Sequence, residues 1–235
     1  MPRAAISVII AASGSGQRLG GGVPKQFRLI GAKPVLAYTL DVFAGMDVVC
    51  EIVVAVPAAY VAHTHEMVVR HGCAKRVIVV PGGANRAESV YVALKQLSKD
   101  TETVLIHDGV RPFVTEDLVH AVADAARRYG AAVAGNLLTD TLKQVDENGM
   151  VQSTPDRARF WRAQTPQGFT YSLLVQAYAQ GMEDGILGKS TDDSWLLERL
   201  GVPVQMVEGP TGNIKITTQE DLVLAEMLLG QREAK

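Results

Sequence analysis

The chain has 235 residues, 47% of them hydrophobic and 20% charged, with a formal net charge of −2. That composition supports a substantial core and excludes a disordered chain, and the near-neutral balance carries no global signature of nucleic-acid binding. Two cysteines, Cys50 and Cys73, form neither a disulfide framework nor a metal-ligand spacing, and no apolar run approaches the ~18 residues that span a bilayer, so a soluble cytoplasmic protein with no membrane partner is expected.

In chain order, Ile6, Val8, Ile9 and Ile10 read as a buried first strand, because this apolar run breaks too early for a secretory segment. A loop follows with Gly14, Gly16, Gly20, Gly21 and Gly22 and two cations, Arg18 and Lys25. Glycine lets backbone N–H groups approach a ligand closely, and paired cations beside such a loop suit a polyphosphate. Pro34 fits the first residue of a helix with Leu36, Leu40 and Phe43 on one face. Residues 51–57 (EIVVAVP) form the nearly continuous apolar run of a parallel strand covered on both faces. A helix through 66–70 and a third strand at 77–80 come next, ended by Pro81-Gly82-Gly83.

Asn85 and Glu88 have capping-box spacing ahead of a helix carrying Val90, Ala93, Leu94 and Leu97. Residues 103–107 form a fourth strand that runs into Asp108-Gly109-Val110-Arg111-Pro112. Thr115 opens another helix, and 131–135 is a fifth strand. This alternation predicts an α/β fold with a doubly wound, mostly parallel sheet, whose ligands bind beyond the carboxyl ends of the strands. The glycine loop, Gly82-Gly83 and 108–111 should therefore converge. His107, at a strand end, is expected to be a packed, hydrogen-bonded core residue.

Residues 139–166 depart from the pattern. Asn148-Gly149, flanked by Leu142, Val145, Met150 and Val151, signals a hairpin. It is either a protruding β-hairpin arm that packs on a partner subunit or an antiparallel addition to the edge of the same sheet. Helices at 171–178 and 192–200 and a strand at 202–207 follow. Alternation over 213–217 puts Asn213, Lys215 and Thr217 on one face, and Thr217 with Glu220 is expected to cap a last helix. With no linker or repeat, the chain reads as one domain, 1–235, with 139–166 as the arm.

The first loop lacks the Gly-Lys-Ser/Thr of a P-loop. It is also no dinucleotide fingerprint, because Leu19 stands where the third glycine belongs and no acid ends the second strand, which speaks against a nicotinamide-dependent oxidoreductase. What remains suits a nucleoside triphosphate attacked at its α-phosphate, where fixed cations offset charge on the phosphoryl oxygens and on the departing pyrophosphate. A phosphate monoester, with a second pKa of ~6, is already largely dianionic at neutral pH and needs no general base. It does need cations, and Arg18, Lys25, Arg111, Arg157 and Lys215 are available in polar settings.

The strand-G-x-G-x-R loop with PKQ downstream resembles the nucleotidyltransferases of GT-A-like fold, a Rossmann-like arrangement. The runs ASGSGQRLG, PKQF, GGANRAESV, HDGVRPF, TDTLK, DRARFWRAQTPQGF, STDD and VEGPTGNIKITTQEDL resemble, over nearly the whole chain, the 2-C-methyl-D-erythritol 4-phosphate cytidylyltransferase family of isoprenoid biosynthesis. The resemblance implies that Arg18 and Lys25 stabilise the transition state at the α-phosphate of CTP. It implies that Gly14, Gly16, Gly82 and Ser89 hold the nucleotide, and that Asp108 and Arg111 line the substrate side. Thr141, Arg157 and Lys215 would hold the polyol phosphate, with the arm residues supplied by the second subunit of a homodimer. Mg²⁺ is implied as well, held mainly by triphosphate oxygens and water rather than by protein ligands. At Gly109-Val110 the chain departs from the small alanines frequent in the family. Ribitol-5-phosphate cytidylyltransferase stays open as an alternative, since QTPQGF and NIKITT fit either while TDTLK favours the first. A non-catalytic CTP-binding module is the other.

Overall fold

A computed structural model describes residues 6–14, 22–70, 72–73 and 75–233; Gly16, Arg18, Gly20 and Gly21 lie outside the described residues. The first half contains β1 (Ile6–Ala11), β2 (Leu29–Ile30), β3 (Lys33–Pro34), α1 (Val35–Gly45), β4 (Val49–Val56), α2 (Val61–Arg70), β5 (Arg76–Pro81), α3 (Arg86–Leu94) and β6 (Thr103–Asp108). The second contains α4 (Glu116–Tyr129), β7 (Ala131–Leu137), β8 (Gln144–Val145), β9 (Val151–Ser153), β10 (Trp161–Thr170), α5 (Tyr171–Glu183), α6 (Ser194–Arg199), β11 (Gln205–Glu208) and α7 (Gln219–Glu233).

Seven strands form one sheet in the order β11-β7-β10-β6-β1-β4-β5. All neighbours run parallel except the two pairs made by β10. The apolar runs are continuous because helices cover both faces. Val8, Ile10, Ile52 and Val54 pack with Leu36 and Phe43 of α1, Met67 of α2 and Val122 of α4. Ile9, Val53, Val104 and Ile106 pack with Val90 of α3, Leu174 of α5 and Leu196 of α6. A third cluster joins Leu222 and Ala225 of α7 to Ile30, Val35, Val110 and Ile216. The α/β, mostly parallel sheet expected from the alternation is thus present.

Four local expectations change. Residues 161–166, assigned to the arm, are the first half of β10, an antiparallel strand inside the sheet; only the segment before Trp161 projects. The β8–β9 hairpin is a separate two-stranded sheet and not an addition to the main sheet's edge. Its turn needs Gly149 at φ +79°, and Val145, Met150 and Val151 are exposed. Pro34 precedes α1 as its cap, one position before the helix. At α7, Asp221 replaces Glu220 as the capping partner: its Oδ2 accepts the N–H groups of Thr217 and Thr218 at 2.7 and 2.8 Å. The caps of α3 and α4 form as expected, with Asn85 Oδ1 accepting Glu88 N–H at 2.9 Å and Thr115 Oγ1 accepting Leu118 N–H at 3.3 Å.

At the amino ends of the strands, the buried Glu51 carboxylate gathers four partners. Oε1 accepts from Ser7 Oγ (2.8 Å), Ser98 N (2.8 Å) and Thr101 Oγ1 (3.2 Å), and Oε2 pairs with Arg76 Nη1 at 2.7 Å. It ties β1, β4, β5 and the chain leading into β6, far from the carboxyl ends. Glu51→Ala should lower unfolding free energy by about 3 kcal/mol, because it strands buried donors. Urea denaturation should show that loss with KM values unchanged.

Candidate active site

The three strand-end segments do converge. A cleft of about 360 Å³ is lined by Ser13 and Gly14 after β1, Lys25 and Gln26 at the far end of the glycine loop, 83–86 after β5, Asp108 and Val110 after β6, and Lys215. Gln26, itself buried, donates from Nε2 to Ala12 O at 2.5 Å and Gly14 O at 3.2 Å. One amide thereby ties the return of the loop to its departure. Phe27 stacks on Tyr60 with ring centroids 4.5 Å apart, which anchors the short turn that begins at Lys25.

Behind the cleft wall, a Cβ on Gly82 would fall 2.3 Å from Ser13 Cβ, so only glycine permits this approach of the β5 exit to the β1 exit. Ser89 Oγ donates to Asn85 O at 2.7 Å, accepts Gly83 N–H at 3.0 Å and lies 2.6 Å from Ser13 Oγ. Ser89 is fully buried and stands one layer behind Ser13 and Gly83, which themselves face the cleft. Gly109 has no room for a side chain, since a Cβ would meet Ala12 Cβ at 2.8 Å. Val110 serves two surfaces: it packs with Phe113 and Ile216 and also lines the cleft.

Asp108 closes the floor. Its Oδ1 lies 3.2 Å from Arg86 Nε, and its Oδ2 lies 2.8 Å from Lys215 Nζ and 3.6 Å from Arg111 Nε. Burial alone would raise the carboxyl's pKa, but Arg86, Lys215 and Arg111 together hold it well below the usual carboxylate range. Beyond it opens a second cavity of about 200 Å³ that shares Arg86, Asp108 and Lys215 with the cleft and adds Arg111, Gln164, Thr165, Gln167, Thr191 and Asp192. These three shared side chains are a partition between two cavities.

Lys215 reaches this partition by a route other than strand alternation, because 213–217 joins no ladder. Instead, Asn213 Nδ2 donates to Gln164 Oε1 (3.0 Å) and Thr165 O (2.9 Å), Arg111 Nη1 donates to Asn213 O (2.8 Å), and Ile216 N–H reaches Val110 O (2.9 Å). Sequence reasoning missed Arg86, although it directly follows the capping Asn85 at a strand end, where first-turn side chains face ligands. It also missed Gln164 and Gln167, polar residues inside what proves to be a sheet strand.

His107 is fully buried. Its Nε2–H donates to Arg111 O at 3.2 Å, and Nδ1 lies 3.1 Å from Thr165 Oγ1, which accepts Asp108 N–H at 3.0 Å. A carbonyl accepts at Nε2, so Nδ1 is the acceptor of the Thr165 hydroxyl and the ring is neutral. Burial lowers its pKa to about 4, against weaker opposing effects of Arg111 O and Asp108. The unfolded chain takes up this proton near 6.5, so stability should fall by about 3 kcal/mol as pH drops from 6.5 to 4. His107→Gln should flatten the slope of unfolding free energy across that window, measured by urea titration at several pH values. An unchanged slope would place the proton uptake elsewhere.

Thr141 and Arg157 line neither cavity of their own chain. Both are exposed within the arm, flanking its β8–β9 hairpin, where Arg157 Nη1 donates to Thr139 O at 2.6 Å. Lys25, Asp108, Arg111, Lys215 and Gly14 do meet around the two cavities. Among the described residues, no cluster of three or more His, Cys, Asp or Glu could hold a metal ion, and no helix is long and apolar enough to cross a membrane.

A family model described as 2-C-methyl-D-erythritol 4-phosphate cytidylyltransferase matches residues 6–231. A protein of that name from Syntrophus aciditrophicus is 42% identical over 231 residues, covering 98% of each chain. Another of that name, from Symbiobacterium thermophilum, is 44% identical over 98% of this chain and 94% of its own. The crystal structure of 4-diphosphocytidyl-2C-methyl-D-erythritol synthase from Anaerococcus prevotii superposes with a TM-score of 0.85 at 33% identity, covering 97% of this chain and 99% of the other.

Proposed function

The chain belongs to the 2-C-methyl-D-erythritol 4-phosphate cytidylyltransferase family, and we propose that its two cavities divide the two substrates of that reaction between them. The enzyme transfers CMP from CTP to 2-C-methyl-D-erythritol 4-phosphate and releases pyrophosphate. CTP occupies the glycine-loop cleft, where Gly14 and, by residue type, Gly16 suit close backbone approach, while Gly82 and Ser89 brace from behind the wall that the base meets. The polyol occupies the second cavity, where Asp108, Gln164 and Thr191 offer hydroxyl partners and Arg111 and Lys215 offer charge. The partition shared by the two cavities carries this reading, because it brings the acceptor against the α-phosphate.

A phosphate oxygen of the acceptor attacks the α-phosphorus in line. The new P–O bond forms as the bond to the bridging α–β oxygen breaks, and that electron pair leaves with pyrophosphate. No proton has to move, so Asp108, held ionised by its cations, orients groups and is not a base. Lys25 and Arg18 offset the charge on the oxygens around the α-phosphorus. Asp108 is the only acid among the described residues of the cleft, and its oxygens already face three cations. This donor set fits an Mg²⁺ that arrives with triphosphate oxygens and water around it, and not a protein cage. When bound, the ion neutralises phosphate charge.

Thr141 and Arg157 enter this scheme as the partner subunit's contribution in a cytoplasmic homodimer, gripping the acceptor phosphate. Exposed Val145, Met150, Val151 and Phe160 supply apolar surface for that docking. With Mg²⁺ and CTP, pyrophosphate release should be at least about tenfold faster in kcat/KM on 2-C-methyl-D-erythritol 4-phosphate than on ribitol 5-phosphate. Release on the ribitol compound alone would reassign the acceptor.

A further inference from the structure

Behind Asp108 lies a second acid that the transfer does not use. Asp193, just before α6, is fully buried, as is Tyr178 of α5. The Tyr178 hydroxyl donates to Asp193 Oδ1 at 2.6 Å, and Asp193 Oδ2 lies 2.7 Å from Arg86 Nη1. Gln167 fixes the same acid from its backbone side: its Oε1 accepts the N–H groups of Asp193 and Ser194 at 3.0 and 3.2 Å. Arg86 then spans to Asp108, and Asp108 to Lys215. A continuous series of polar contacts therefore runs from the packed interior of α5 to the cation at the cavity partition.

The charges explain why both acids are needed. Arg86, Arg111 and Lys215 compete for Asp108, and Lys215 holds the shortest contact, 2.8 Å against 3.2 and 3.6 Å. A guanidinium satisfied only by Asp108 would draw that carboxylate toward itself and away from Lys215. Asp193 supplies Arg86 with a separate counter-ion on its other edge. A carboxylate this deeply buried is costly unless its geometry is fixed, and Tyr178 and Gln167 fix it.

We propose that Asp193 and Arg86 are positioning residues for the transfer: Asp193, locked by Tyr178, holds Arg86 in place, and Arg86 sets Asp108 so that Lys215 remains on the acceptor. The proposal rests on the reading of the second cavity as the acceptor site. A merely structural role would lower stability and leave both KM values alone, whereas positioning acts on one substrate.

Steady-state kinetics with Mg²⁺, CTP and 2-C-methyl-D-erythritol 4-phosphate separate the two. Asp193→Asn keeps an acceptor for the Tyr178 hydroxyl and removes the charge. It should raise the acceptor KM about tenfold with the CTP KM within about twofold, and Arg86→Ala combined with it should be no worse than Arg86→Ala alone. Arg86→Ala should also regain activity with added guanidinium at concentrations below those that denature. Should Asp193→Asn fail to fold, Arg86→Lys, at a partly exposed position, must show the same KM split. A change in melting temperature alone, additive effects in the double variant, or no guanidinium rescue would overturn the proposal. If instead the wild type does not turn over this acceptor, or Lys215→Ala leaves its KM unchanged, the acceptor-cavity reading fails and not the positioning.

Discussion

Replacing Lys25 with alanine should lower kcat by about 10²- to 10³-fold, the usual cost of removing one preorganised stabiliser of transition-state charge. Lys25 lines the cleft on a backbone turn that Gln26 and Phe27 fasten to Ala12 and Tyr60. The melting temperature should stay within about 2 °C, as for other substitutions outside the core. Rapid-quench measurement of CMP transfer would register the effect on the chemical step directly. A raised KM with unchanged kcat would mean that Lys25 only binds the ground state, and its role at the α-phosphorus would be wrong.

The second large effect concerns Asp108→Asn. The variant keeps the shape of the side chain but leaves Arg86, Arg111 and Lys215 facing one another without the central charge. Breaking a buried ion pair from one side costs about 3–5 kcal/mol, and the second cavity should lose its geometry as well. Burial opposes the ionised carboxylate, yet the three cations outweigh it, so its folded pKa lies below the unfolded value of 3.8. The stabilisation is therefore complete at neutral pH and is lost as pH falls below that value. Urea unfolding of wild type and variant should differ most above pH 5 and converge in stronger acid. Equal stability at pH 7 would show that the cations do not depend on Asp108.

Much of the architecture was legible because parallel strands buried on both faces must be continuously apolar, as in EIVVAVP. The same rule hid β10. Its run WRAQTPQGFT holds Arg162, which is exposed, Gln164 and Gln167, which line the second cavity, and a proline, where its ladder to β7 is irregular between Ala163 and Gln167. A proline is tolerated where the ladder is interrupted. Residues at strand ends could be found from position alone: Gly14, Asp108 and Arg111 line the two cavities, and Gly82 lies just behind the cleft wall. Lys215 is implied by the resemblance, but the strand alternation that also favours it is absent, and Lys215 reaches the partition through Asn213 instead. Arg86 escaped notice because its importance lies in Asp193, and nothing local in NRAES marks a pairing with STDD. Ser89, implied at the nucleotide by the resemblance, is fully buried one layer behind the cleft lining, a burial not readable from a single serine on a helix.

The place of β10 in the sheet has a consequence for the order in which the protein assembles during synthesis. Once Asp108 has emerged from the ribosome, β1, β4, β5 and β6 are all available to pair as neighbours. β7 is made next, but its inner neighbour is β10, and β11 in turn joins the sheet only through β7. A nascent chain that ends at Leu137 thus holds four strands that can pair, one face of them still lacking α5 and α6, together with the open edge of β6 and an unpaired β7. Both wait for a segment translated later, and during that interval the two edges are the surfaces open to pairing with other chains.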